Sequence, residues 1–135
     1  MLINISKKDS RVPVTLMQLT GDLDASNYTE VIAKAQEVYE DGTRDLLIDL
    51  SKVPYVSSAG LMALHAVVLI FSGQSMQPKT GRPTFQSINP QRDSAVREHV
   101  KLLSPQAAVE KVLDVVGLKH FFELYTELET ALQSF

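Results

Sequence analysis

The chain has 135 residues, enough for one domain built on a single core. It carries a net charge of -3, 44% hydrophobic residues and no cysteine. This composition excludes a disulfide framework and a thiolate metal site, and gives no support to general nucleic-acid binding.

In chain order, Leu2, Ile3 and Ile5 predict a short first strand, and Lys7 to Arg11 a polar turn. From Val12 to Leu19 the residues alternate, with Val12, Val14, Leu16 and Gln18 on one side and Thr15, Met17 and Leu19 on the other. That predicts an antiparallel hairpin, with Pro13 at a strand start or edge. Thr20-Gly21-Asp22-Leu23-Asp24 follows as a bend, and Asp24 or Ser26 can cap the next helix. From Ala25 to Glu40 the residues Tyr28, Val31, Ile32, Ala35, Val38 and Tyr39 share one face, as in a surface helix packed on a sheet, and Gly42 suits its C-terminal end. Asp45 to Leu50 is apolar on consecutive positions, which predicts a central strand buried on both faces.

A short loop then ends at Ser57-Ser58, and an apolar helix runs from Ala59 to about Ser72. A serine hydroxyl is therefore expected at a helix N-terminus. Two readings of it stand. It can accept a hydrogen bond from a first-turn N–H, worth about 1 kcal/mol. The same N–H groups and the helix dipole also favour a negative charge there, such as a phosphate. Gly60, in the first turn, lets another backbone or a partner approach closely. The helix is too short to cross a bilayer, which needs about 20 residues, and Met1 to Ser10 has no signal-peptide layout.

Residues 73–98 differ in kind: rich in Pro, Gly, Ser and Gln, with Lys79, Arg82, Arg92 and Arg97 outnumbering Asp93 and Glu98. They predict a long basic loop, either a plain surface loop or a binding element. Phe85 and Ile88 are candidate anchors in it. Val100 to Leu103 is a strand. Ser104 is expected to cap a helix with Pro105 in its first turn and Ala108, Val109, Val112, Leu113 and Val116 on its apolar face, ended by Gly117. Phe121 to Tyr125 and Glu127 to Leu132 predict a last strand and a last helix.

Asp49-Leu50-Ser51, then Tyr55-Val56-Ser57-Ser58-Ala59-Gly60-Leu61, resembles the signature of the STAS family, the sulfate transporter and anti-sigma-factor-antagonist domain. Thr20-Gly21-Asp22-Leu23-Asp24 resembles that family's Gly-Glu-Leu-Asp segment, and the stretch from Ser104 to Leu132 is also STAS-like. Two positions depart from the signature: the family's aspartate is Ser57 here, and its second Ser or Thr is Ala59. The resemblance implies an α/β fold, a STAS-like (SpoIIAA-like) mixed sheet of four to five strands packed with about four helices. It makes residues 1–135 a single STAS domain, with 73–98 as an insertion.

In the antagonist branch the phosphorylatable serine falls on Ser58, with Ser57 the lesser candidate. By the same resemblance the partner-binding surface comprises Asp22, Asp24, Ser57, Ser58, Ala59, Gly60 and Met62. The implied function is regulatory: a cytoplasmic module that binds an anti-sigma factor, itself a serine kinase, is switched by phosphorylation, and is reset by a cognate phosphatase. Two alternatives stand beside it: an unphosphorylated scaffold of a larger signalling or transport complex, and a small anion or nucleotide binder using the same helix end.

Enzyme chemistry finds no support. Gly73 to Thr80 nearly spells a phosphate-binding loop, but Pro78 has no N–H to offer and the stretch follows a helix rather than a strand. Ser58 and His65 are seven positions apart on one helix, roughly 10 Å, where a nucleophile and its base need about 3 Å. His65, His99 and His120 show no metal spacing, and His65 reads as a hydrogen-bonded core or edge histidine. No cofactor, metal, nucleic acid or membrane insertion is expected.

Overall fold

The computed structural model describes residues 1–72 and 98–135. Residues 73–97 of the basic insertion, with its near match to a phosphate loop, Phe85 and Ile88, lie outside the described residues. Among the described residues, five strands form one sheet in the order β1 (Leu2–Asp9), β2 (Pro13–Thr20), β3 (Leu46–Lys52), β4 (Val100–Leu103) and β5 (Glu123–Tyr125). The first pair is antiparallel; each later pair is parallel. The sheet is the mixed α/β arrangement expected from the hairpin followed by strand–helix units.

Alternation along the strands divides the core in two. Met17, Leu19, Leu46, Ile48, Leu50, Val100 and Leu102 face helices α1 (Tyr28–Glu40), α2 (Ser58–Phe71) and α3 (Ala107–Val115). Val14, Leu16, Leu47 and Leu103 face the other way, against Ala131 and Leu132 of α4 (Leu128–Ser134). Strand β3 is thus buried from both sides, which is why its sequence is apolar without alternation. Each fully buried leucine here contributes about 1.5–3 kcal/mol of transfer free energy.

The parallel strands send their C-terminal ends to one edge of the molecule. Between β2 and β3 the register slips: Gln18 pairs with Asp49, but Thr20 pairs with Lys52. The extra β3 residue bends the ladder as the two strands run out. Gly21 takes φ +108° at that point, and its N–H donates to the Lys52 carbonyl at 3.0 Å. The two loops that follow β2 and β3 therefore leave the sheet side by side.

Several local expectations need correction. Strand β1 runs on to Asp9, so Lys7 to Asp9 are strand rather than turn; as an edge strand β1 tolerates polar residues that a central strand does not. Helix α1 starts at Tyr28, because residues 25–27 are spent in a turn. Ser104 does not cap α3. It sits at φ +49°, and its hydroxyl donates to the Thr126 carbonyl at 3.0 Å, while Gln106 occupies the cap position. Pro105 accordingly precedes the helix instead of opening it. Ala108 and Val116 are exposed, leaving Val109 and Leu113 to anchor α3. Leu118–Phe121 forms a 3-10 turn, which shortens β5 to three residues.

Candidate functional site

The site is the pair of loops at the C-terminal ends of β2 and β3. Leu23 joins them. Its N–H donates to the Tyr55 carbonyl at 3.0 Å, and its carbonyl accepts from the Ser57 N–H at 2.9 Å, so Leu23 and Val56 form an isolated parallel bridge. The Leu23 side chain is fully buried and the Val56 side chain nearly so. Apolar burial beneath and backbone pairing above fix Asp22 and Asp24 beside the serine pair.

Ser57 and Ser58 then divide the helix start between them. Ser57, in extended conformation, is the N-cap of α2: its hydroxyl accepts from the Gly60 N–H at 3.3 Å and its carbonyl from the Leu61 N–H at 2.9 Å. Ser58 is the first helical residue, and it is exposed. At an α-helix start the N–H groups of Ser58 and Ala59 have no intrahelical acceptor, so this end carries the positive part of the helix dipole.

Gly60 is buried directly beneath the bridge. A Cβ at that position would lie 2.5 Å from the Leu23 carbonyl oxygen and 2.8 Å from Val56 Cγ1. The close approach foreseen for this glycine is thus made by the chain's own backbone. Gly60 shapes the site from below; Ala59 is half-buried, and Met62, one turn beyond Ser58, is 37% exposed. Tyr55 is 56% exposed, three residues before Ser58. The sequence marked it only as a signature aromatic.

On the neighbouring arm, Asp22 is exposed and Asp24 half-buried. Asp24 Oδ1 accepts from the Ser26 hydroxyl at 2.6 Å and the Ser26 N–H at 2.9 Å. Those two bonds, the hydroxyl first, hold its carboxyl below the ordinary aspartate value, so it stays ionised. The turn continues into Asn27, whose buried side chain grips this arm and was not singled out in the sequence. Away from the site, His65 is buried within α2, and His99 Nδ1 lies 2.8 Å from Asp45 Oδ1. Among the described residues no helix is long and apolar enough to cross a membrane.

A mixed sheet with α-helices on both faces, and a serine pair opening α2 beside a Gly-Asp-Leu-Asp turn, defines a STAS-type domain. The model of the family described as "Mlab, STAS domain" matches residues 6–76, more than half of the chain, and the chain belongs to that family. A comparison with curated proteins returned no match. Among solved structures, the chain is similar to a Thermotoga maritima protein proposed to be an anti-sigma factor antagonist (TM-score 0.70, 16% identity, covering 97% of this chain and 92% of that one). It is similar to an anti-sigma factor antagonist from Mycobacterium paratuberculosis (TM-score 0.66, 21% identity, 98% and 93% covered). It is also similar to the anti-sigma factor antagonist SpoIIAA in its unphosphorylated form (TM-score 0.60, 19% identity, 96% and 92% covered). At these identities the likeness establishes a shared fold.

Proposed function

We propose that the chain is a regulatory protein-binding module of the anti-sigma-factor-antagonist kind, whose docking on an anti-sigma factor is switched by phosphorylation of Ser58. The observation that carries this reading is the division of labour at α2. Ser57 supplies the cap, so the Ser58 hydroxyl is exposed and has no structural duty at the helix start. A phosphate there adds about −1.5 to −2 charges at the centre of the face formed by Asp22, Asp24, Tyr55 and Met62. The helix end accommodates that charge within this protein, whereas a partner surface fitted to a neutral hydroxyl is repelled. The partner in this reading is an anti-sigma factor with serine kinase activity, a phosphatase resets the switch, and the setting is the cytoplasm. No catalysis, cofactor or nucleic acid enters it.

A second reading is favoured by two residues and by the family match. Ser57 stands where the STAS signature has aspartate, Ala59 stands where it has Ser or Thr, and the matching family model bears the name Mlab rather than that of an antagonist. A scaffold of a larger complex, never phosphorylated, fits these departures. Intact mass of the protein after incubation with its native cytosol and ATP separates the two. One added phosphate mapped to Ser58 is the expected result. An unmodified Ser57-Ser58 pair, together with equal partner capture by wild type and Ser58→Asp, removes the switch and leaves the scaffold.

A further inference from the structure

We propose that Asn27 is the positioning residue of the serine site, acting through the backbone of Leu23 without touching a partner itself. Its side-chain amide bonds two consecutive peptide units. Nδ2 donates to the Asp22 carbonyl at 2.7 Å, and Oδ1 accepts from the Asp24 N–H at 2.9 Å. The far sides of those same two units hold the serine loop. The peptide that carries the Asp22 carbonyl carries the Leu23 N–H, which donates to Tyr55 at 3.0 Å. The peptide that carries the Asp24 N–H carries the Leu23 carbonyl, which accepts from Ser57 at 2.9 Å. Asn27 therefore takes the place of a neighbouring strand, and four hydrogen bonds join three segments side by side: asparagine amide, Leu23 backbone, serine loop.

The chemistry demands this side chain. One end must donate and the other accept, at the reach of a single methylene, from a helix-cap position that is 7% exposed. Aspartate, of the same size, sets a second acceptor against the Asp22 carbonyl. Polarised chains of hydrogen bonds strengthen one another in a buried setting, so losing one bond weakens the next. The acidic arm and the serine arm thus behave as one preformed surface, and Ser57 receives its position in part from Asn27. The functional meaning of this surface rests on the reading of Ser58 given above; the mechanical claim does not.

Amide hydrogen exchange on the full chain tests it, with Ile48 in central β3 as the internal reference. Asn27→Ala is expected to speed exchange at Leu23 and Ser57 about tenfold relative to Ile48, the loss of roughly one buried hydrogen bond's protection. Asn27→Asp, which leaves no cavity, is expected to do the same at Leu23, and it carries the test alone if the alanine variant does not fold. Unchanged Leu23 and Ser57 amides, an aspartate variant that behaves as wild type, or an equal rise at Ile48 each overturn the proposal. Loosened loops with undiminished partner capture support the role of Asn27 while removing the acidic arm from the binding face, so the two readings fail separately.

Discussion

Ser57 and Ser58 are chemically identical neighbours to which α2 gives different work, and the difference turns on where the helix begins. The serine pair announced a helix N-terminus in the sequence, but a one-residue shift of that start exchanges cap and exposed hydroxyl, and periodicity does not resolve one residue. The family's aspartate at position 57 becomes intelligible here, since aspartate and serine are comparable N-caps. Ser57→Ala is expected to cost about 1 kcal/mol in urea unfolding, and Ser57→Asp close to nothing, because its carboxylate caps and also faces the positive helix end. A cost for the aspartate equal to that for alanine would show that Ser57 is not a cap. Gly60→Ala sets two effects against each other. Alanine gains about 1 kcal/mol of helix propensity, but its Cβ would press within 2.5 Å of the Leu23 carbonyl oxygen, whose peptide unit is held on one side by Ser57 and on the other by Asn27. Overpacking of that kind costs about 1–3 kcal/mol, so net destabilisation is expected, with the largest chemical-shift changes at Leu23 and Val56. A more stable Gly60→Ala variant would show that the bridge yields freely.

At the scale of elements, what was legible followed from apolar pattern. Strands β2 and β3, the buried faces of α1 and α2, and the parallel order after the hairpin could all be read, because burial leaves a signature of period two, period 3.6 or neither. What was not legible is held by long-range polar contacts. Ser104 reads as a cap because Pro105 follows it, yet its hydroxyl is taken by Thr126, twenty-two positions on. Lys101 gave no signal in Val-Lys-Leu-Leu, but it is 2% exposed and holds α4 to the sheet. Its Nζ donates to the Ser134 carbonyl and hydroxyl at 2.9 Å, lies 3.2 Å from Glu123 Oε2, and stands 4.5 Å from the Phe135 ring centre. Lys101→Met keeps most of the stem's packing and loses those bonds. It is expected to cost about 1–3 kcal/mol, with α4 amides losing protection before β3 amides. Uniform loss, or none, would mean the lysine does not hold that helix. The same corner responds to alkali. Burial, opposed in part by a hydrogen bond with Ser134 and reinforced by the bond to Glu123, raises the Tyr125 phenol above its ordinary value, so between the unfolded and folded values the native state retains a proton that the unfolded chain has released. Stability is then complete below about pH 10 and falls as pH rises through the higher folded value. Tyr125→Phe should flatten that decline.

At the scale of the whole molecule, the sheet brings the candidate site residues to one end. Parallel strands point their C-termini together, the β2–β3 register slip turns both exits the same way, and Gln106 Nε2 on the next loop reaches the Ser51 carbonyl at 3.0 Å. The serine loop is therefore braced by the core, and a change of charge at Ser58 need not be transmitted through a change of fold. This yields the most general prediction. Ser58→Asp places a carboxylate at the first position of α2, where the dipole contributes about 0.3–1 kcal/mol of stabilisation at low ionic strength. Asp22 and Asp24 on the neighbouring arm repel it through solvent and offset part of that gain. The net expectation is a urea midpoint equal to or slightly above wild type, narrowing with added salt, while capture of the Ser58-dependent partner is lost. A midpoint well below wild type would mean that charge at this helix end strains the fold, and loss of binding would then report unfolding rather than recognition. Equal midpoints with lost capture would locate the switch at the surface, in the electrostatics of one exposed oxygen.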